Sequence, residues 1–593
     1  MGISADPAIV GGLDDEEARS MTADFLHHEI RDFIQHRIDW KRYFELRSRG
    51  EANAVEEVET FLTILRTLDE ICRDVESDAR DRWHEEVKLV DGEVVVPPHI
   101  ARGYEKLRGA GLICLTLSPE YGGYGLPMVI NCAYLEMVAR ADSSLMTIVG
   151  LQSGVASDIE KYGSAELKER YLPRFTSGEL QGSMDLTEPQ AGSDLGGIIT
   201  RASEENGRFF IDGEKIFITN GGAPVHLVLA RDGATFDQSK GTTNGLSLLV
   251  CPRQLADGSK NGVRVSRVES KLGIHGSPTC VVEFEHAEAF LLAKRGQGFR
   301  AMLDLMNNAR LGVAAQAIGV AEASYQQARR YAAERVQFGA PIIQQPLVKN
   351  MLAQMATNIQ AARALLYHTC ALIDMTDAIR RRIEDGVSGA EQGALQEELE
   401  RNLQLVRFFT PLCKFYATEI SNDVTRKGIQ VHGGLGYMSE SPAGHYHSDS
   451  IITTIYEGTS EIQASFALKE MAKGALFATL EASRAQLEDV REQFPELVRD
   501  VSEGIEWLNK SVPALMGDPQ YALLNAKRVS EMIIDVVVAC ELLQQAAILE
   551  DRRVFAATFV HRRMLAVEMN ARRIAQGDAA RIKRYDRMLG LEG

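Results

Sequence analysis

The residues with the clearest chemical potential lie around position 457. Tyr456-Glu-Gly-Thr-Ser-Glu-Ile-Gln463 places one carboxylate, Glu457, between an aromatic ring and a glycine, directly after the apolar run Ile451-Ile-Thr-Thr-Ile455. A carboxylate against apolar surface is poorly solvated, so its pKa rises and it becomes a usable general base. The same residues have a plainer reading, because Ser460 and Gln463 have the S-x-x-Q spacing of a capping box and the segment is then only a helix start. Upstream, Ile216-Phe-Ile-Thr-Asn-Gly-Gly222 reads as a strand with Phe217 and Thr219 on one face. An aromatic ring with flanking hydroxyls suits a planar cofactor and suits a core equally. Met184-Asp-Leu-Thr-Glu-Pro-Gln-Ala-Gly-Ser-Asp194 reads as a polar loop. Gly296-Gln-Gly298-Phe-Arg-Ala301 spells a GxGxxA dinucleotide fingerprint, but the helix after it runs into more helix and not a second parallel strand. Those glycines read as a turn. His445-Tyr-His447-Ser-Asp449 has no Cys or Glu at ligand spacing, so it reads as an exposed or turn-forming loop and no metal is expected.

These segments need elements to hold them. Over residues 14–175 apolar residues recur at three and four, as in Phe61, Leu62, Leu65, Leu68 and Ile71, which predicts helices. A loop at 117–125 with three glycines and a proline interrupts them. One of these helices carries Gly150 and Gly154 a turn apart, which leaves depth for a ligand chain or allows a close helix crossing. Between about 182 and 292 the period falls to two. There 208–219 predicts a hairpin turning at Asp212-Gly213, with further strands at 226–230, 246–251 and 281–285. Residues 299–334, 348–379 and 403–431 return to helical periodicity, and 380–402 reads as a mobile insertion. Beyond 473 the pattern stays helical. The expected architecture is mainly α with a central β domain. It divides into an N-terminal helical extension (1–75), a helical domain (76–181), the β domain (182–292), a second helical domain (293–470) and an additional helical domain (471–593).

A chain of 593 residues accommodates about four domains. Its 83 acidic residues exceed the 65 basic ones, and the net charge of −18 disfavours a nucleic-acid partner. The eight cysteines include no CxxC pair and read as buried thiols of a reducing compartment. The first thirty residues lack an apolar leader core and 532–540 is too short to span a bilayer, so a cytoplasmic protein is expected. Arg562, Arg563, Arg572, Arg573 and Arg584 would face an acidic lipid surface or pair within the protein, and internal pairing is the stronger reading.

Six segments occur together and in order: Pro119-Glu-Tyr-Gly-Gly-Tyr-Gly125, Leu186-Thr-Glu-Pro-Gln-Ala-Gly-Ser-Asp194, Phe217-Ile-Thr219, Glu334-Arg-Val-Gln-Phe-Gly339, Gln430-Val-His-Gly-Gly-Leu-Gly436 and Ile455-Tyr-Glu-Gly-Thr459. In this combination the sequence resembles the flavin-dependent acyl-CoA dehydrogenase family over about residues 75–470. Lys271-Leu-Gly-Ile-His-Gly-Ser-Pro-Thr279 and the length resemble a long bacterial subgroup with an extra C-terminal helical domain.

The resemblance implies a barrel-like β domain and a four-helix bundle over 293–470, with FAD held between the two and reaching a neighbouring subunit, hence a homodimer or dimer of dimers. Met184, Leu186, Thr187, Phe217 and Thr219 would line the isoalloxazine, with Phe217 standing where the family often has Trp. Arg335, Phe338, Gln430, Gly433 and Gly434 match positions that reach the adenine and pyrophosphate of the partner's FAD. Thr459 and Glu461 fall among the cofactor positions, Glu461 replacing the usual Gln or Gly. Ser193, Asn307, Arg310, Tyr456 and Gly458 match substrate positions, Asn307 standing where relatives often have Asp. Ser448 replaces the Arg usual before Asp449. Glu457 matches the catalytic base, and Ala309, at the alternative position used by some members, cannot serve. The implied reaction is α,β-dehydrogenation of a saturated acyl-CoA to the trans-2-enoyl-CoA, with electrons passed to an electron-transfer flavoprotein. An acyl-CoA oxidase and a non-catalytic acyl-CoA-binding scaffold are the alternatives.

Overall fold

The computed structural model describes residues 24–47 and 54–591. The leader reading falls mostly on residues 1–23, outside the described residues. Three helices open the described chain: α1 (His28–His36), α2 (Trp40–Leu46) and α3 (Ala54–Ala79). Helix α3 buries Phe61, Leu62, Leu65, Leu68 and Val75, the three-and-four stripe that its sequence displays. After the small hairpin β1 (Lys88–Val90) and β2 (Glu93–Val95) come α4 (Pro98–Gly109), α5 (Met128–Ala141), α6 (Ser143–Tyr162) and α7 (Ala165–Thr176). The loop between α4 and α5 turns through Gly122 and Gly125, both at positive φ.

Seven strands follow: β3 (Gly182–Asp185), β4 (Arg201–Glu205), β5 (Arg208–Thr219), β6 (Val225–Asp232), β7 (Leu246–Pro252), β8 (Val263–Val268) and β9 (Thr279–Leu291). Six of them run β3-β6-β4-β5-β9-β7, β8 pairs with β9 off that path, and β7 returns to pair with β6, so the sheet closes on itself. The hairpin predicted at Asp212-Gly213 is not there. The chain turns at Asn206-Gly207, both left-handed, and β5 continues through Gly213 with a bulge at Asp212. Asp-Gly serves a bulge as well as a turn. Here the Asp212 carboxylate accepts the His286 N–H at 2.7 Å, and any Cβ on Gly213 would strike Thr200.

The bundle is built from α9 (Gly298–Glu334), α10 (Pro346–Glu384) and α11 (Ala390–His432), joined by α12 (Pro442–Thr453) and α13 (Ser460–Ala472); α8 (Phe236–Ser239) is a single turn inside the β domain. The predicted mobile insertion is wrong: only 385–389 leaves the helix, because Leu395 and Leu399 form a buried stripe beneath the charges. His445 to Asp449 is likewise helical, in α12, with His445 stacked on Trp83 at 5.4 Å. Among the described residues no cluster of His, Cys, Asp and Glu is arranged to hold a metal.

The chain ends in α14 (Ala475–Val490), α15 (Pro495–Met516), α16 (Pro519–Leu524), α17 (Ala526–Ile548), α18 (Arg553–Ala575) and α19 (Arg581–Met588). Buried α17 is the hub, packing against α13, α14, α15 and α18. Most of the basic stretch is engaged internally: Arg563 donates to Asp535 at 2.7 Å, Arg572 to Glu568 at 2.7 Å, Arg562 to Asn358 and Arg584 to Asp578. No described helix is long and apolar enough to cross a membrane, and all eight cysteines are free and buried.

Two ionic clusters fasten these layers. Arg363 on α10 donates to Glu136 on α5 at 2.7 Å and to Glu322 on α9 at 2.8 Å, while the Tyr367 hydroxyl donates to Glu136 at 2.6 Å. His27 lies 3.3 Å from Glu322, drawing the start of α1 onto the same cluster. From the other side of α1, Arg37 grips Glu541 on α17 with two bonds of 2.8 and 3.0 Å, and Arg552 donates to Asp32 at 2.8 Å.

Candidate active site

Glu457 sits in the turn between α12 and α13. Its φ is +56°, and Gly458 follows at +93°. Two successive left-handed residues are costly when the first carries a Cβ, so neighbouring groups must hold the turn. Gln463 on α13 donates its amide to the Glu457 carbonyl at 2.9 Å and to the Gly458 carbonyl at 3.0 Å. From α11, Lys414 donates to the same Gly458 carbonyl at 2.7 Å. The capping-box reading is thereby corrected. Thr459 is the N-cap, its hydroxyl accepting the Ile462 N–H, and Gln463 braces the turn through its NH₂.

The walls explain the electrostatics. Burial raises the Glu457 carboxyl above its ordinary value, while the nearby charges of Arg310 and Lys414 pull it back. Arg310 is itself buried on α9, its guanidinium 5.1 Å from the Phe466 ring centre and donating to Asn307 at 2.7 Å. The Tyr456 hydroxyl donates to Gln316 on α9, whose amide donates to Ser143 at the start of α6 at 2.9 Å. The β domain docks close by, where the Ile274 N–H donates to Asp449 on α12 at 2.6 Å. Gly150 and Gly154 meet only ordinary contacts, the nearest being Leu135 and Leu305, so no tight crossing requires them.

The β-domain residues are placed by hydrogen bonds within that domain. The Ile216 N–H donates to the Thr187 carbonyl at 2.9 Å, and the buried Lys215 ammonium donates to the Leu186 carbonyl at 2.9 Å and to Glu188 at 2.8 Å. Thr187 thus lies beside Phe217, which is left-handed (φ +59°) and 60% exposed. A register shift between Lys215 and Ile218 breaks the simple alternation read for Phe217 and Thr219. Met184 and Thr219 are half-buried, Leu186 belongs to the core, and Ser193 is exposed on its loop.

The remaining predicted residues lie apart. Arg335 ends α9, and Phe338-Gly339 turns the two-residue hairpin β10 (Val336–Gln337) and β11 (Ala340–Pro341), leaving Phe338 94% exposed. Gln430, Gly433 and Gly434 are exposed at the end of α11, near that of α9, since Tyr331 stacks on His432 at 4.6 Å. Glu461 is also exposed and pairs at 3.3 Å with Lys527 of α17. Lys414 and Gln316 were missed by reading the sequence. The signal for Lys414 was present, as the one charge in Phe408-Phe-Thr-Pro-Leu-Cys-Lys-Phe-Tyr-Ala417.

Comparison with known proteins fits this architecture. Profiles of the acyl-CoA dehydrogenase N-terminal, middle and C-terminal domains match residues 66–179, 183–287 and 296–472. The chain is 35% identical to 3-methylmercaptopropionyl-CoA dehydrogenase of Ruegeria pomeroyi over 64% of its own length and 65% of that protein, just under two thirds of the relative. Among solved structures, Caenorhabditis elegans ACDH-11 in complex with C11-CoA shares the fold over 95% of both chains, with a TM-score of 0.75 and 19% identity. An acyl-CoA dehydrogenase of Bacillus anthracis complexed with FAD matches over 86% of this chain and 88% of that one, with a TM-score of 0.69 and 22% identity. The mainly α architecture with its central β region and C-terminal helices, together with the three matched domains, places this chain in the acyl-CoA dehydrogenase family.

Proposed function

We propose that this protein carries out α,β-dehydrogenation of a saturated acyl-CoA thioester, with Glu457 as the base and an electron-transfer flavoprotein as electron acceptor. The observation that carries the reading is the Glu457 turn: a half-buried carboxylate, raised in pKa and held in a braced left-handed conformation between two cations. Such a group accepts the weakly acidic α-proton of a thioester, and its backbone N–H is one donor toward the thioester oxygen as charge develops there. Arg310 keeps the carboxylate ionised before the transfer. Asn307 accepts from Arg310 without neutralising it, so the guanidinium retains its charge for the anionic CoA.

The residues fit FAD. Phe217 offers an exposed apolar ring beside the hydroxyl-bearing Thr187, and a Cβ on Gly433 or Gly434 would meet nothing within 4 Å. In this reading Met184, Leu186, Thr187, Phe217 and Thr219 hold the ring system. Arg335, Phe338, Gln430, Gly433 and Gly434 serve the adenine and pyrophosphate half of a partner subunit's cofactor, which makes the protein a homodimer or dimer of dimers. Thr459 belongs to the cofactor side through its cap. Glu461, paired with Lys527, contributes through that tie, while Ser193, Tyr456 and Gly458 border the substrate. When bound, FAD supplies the acceptor for the β-hydrogen.

Two measurements test the reading apart from the base. Arg335→Ala is expected to lower the flavin retained per chain after gel filtration, because a guanidinium on paired phosphates is lost. Unchanged flavin content removes Arg335 from the cofactor site. Turnover under air is expected to release little H₂O₂ relative to the reduction of added electron-transfer flavoprotein; stoichiometric H₂O₂ would make the protein an oxidase.

A further inference from the structure

We propose that Lys414 is a positioning residue for the Glu457 base, pinning the Gly458 carbonyl from beneath the turn and setting a positive charge against the carboxylate. This rests on the reading of Glu457 as the base. Lys414 is 0% exposed on α11, and its ammonium sits 2.7 Å from the carbonyl of the residue immediately after Glu457. A buried ammonium is costly unless it is paired and hydrogen-bonded, and Lys414 is the one charged residue in the Phe408–Ala417 stretch. The polar partner it finds is the turn itself.

The charged groups around it are few. Glu457 faces it from the turn and Arg310 from α9, Glu461 lies on α13, and Glu419 is on its own helix. Lys527 from α17 ties Glu419 and Glu461 together at 3.3 Å each, which ties up both acids at the rim. Burial pushes the Lys414 ammonium down to about 7, with Glu457 pulling it up and Arg310 pushing it further down. The pair Lys414 and Glu457 is therefore coupled, and loss of the cation raises the carboxyl.

The test compares Lys414→Met, which removes both charge and donor, with Lys414→Gln, which keeps an N–H donor without the charge. Both are measured as holoenzymes. In each the acid limb of the pH profile of kcat/KM is expected to move up by about one pH unit. The protonated-carboxyl infrared band of the resting enzyme, identified by its loss in Glu457→Gln, should titrate with the same upward shift. An acid limb and a band that stay in place, even with a uniformly slower rate, would reduce Lys414 to a packing residue and overturn the proposal. If Lys414→Met does not fold, Lys414→Gln alone decides by the same criteria. Bleaching by Glu457→Gln at the wild-type rate would instead remove the base assignment itself, so the two failures are distinguishable.

Discussion

Glu457→Gln is expected to bind FAD as the wild type does and to lose bleaching of the flavin by acyl-CoA, with the rate falling by about 10²–10⁴-fold, the usual contribution of a positioned general base. Glutamine preserves volume and polarity, so the braces from Gln463 and Lys414 to the turn carbonyls remain, and only proton acceptance is removed. Stopped-flow absorbance at the flavin band measures it. A variant that bleaches at the wild-type rate would sink the assignment. The pH dependence of the wild type carries the same information. Burial holds Glu457 above the 4.5 of an unperturbed glutamate, so the acid limb of kcat/KM should lie above that value, with activity lost as the pH falls through it.

Arg363→Met is expected to destabilise the fold by about 3–5 kcal/mol, because it removes the one guanidinium that two buried carboxylates, Glu136 and Glu322, share. Glu322 is held far below the ordinary carboxylate range by His27 and Arg363 against the upward push of burial. Without Arg363, burial pushes the Glu322 carboxyl back up against His27 alone of those two charges. A carboxyl lowered in the folded state stabilises it only when ionised, so the deficit left by losing Arg363 should grow as pH rises and shrink toward acid. Urea midpoints of wild type and variant at two pH values would show it. Adding Glu322→Gln to the variant should recover part of the loss. A midpoint unchanged by Arg363→Met would mean that the cluster contributes nothing.

Helices such as α3 could be read because they bury a stripe at three and four, and the β domain because the period drops to two where it begins. The errors came where one local signal serves two structures. Asp212-Gly213 has the chemistry of a turn and forms a bulge, since the sheet partner His286 claims its carboxylate. The charged face of 380–402 hid Leu395 and Leu399, and the His445 segment looked like a loop because its helix buries polar groups against another domain. In the site, Glu457 could be singled out from its short segment, and Arg310 only through the family resemblance. Lys414 could not be assigned, because its partner lies 44 residues along the chain and only the packing of α11 beneath the turn brings them together.

The grip of Arg37 on Glu541 joins residues 504 apart, which has a consequence for synthesis on the ribosome. At about 5–20 residues per second, on the order of 25–100 s pass between the emergence of α1 and that of its partner on α17. Throughout that interval Asp32 and Arg37 have no counterpart, and the cluster around Arg363 that seats the other side of α1 is itself complete only once residue 363 has emerged, so α1 is held on neither side until then and on one side only from then until α17 is made. A chain released before α17 is made therefore leaves that flank of α1 without its ionic partners.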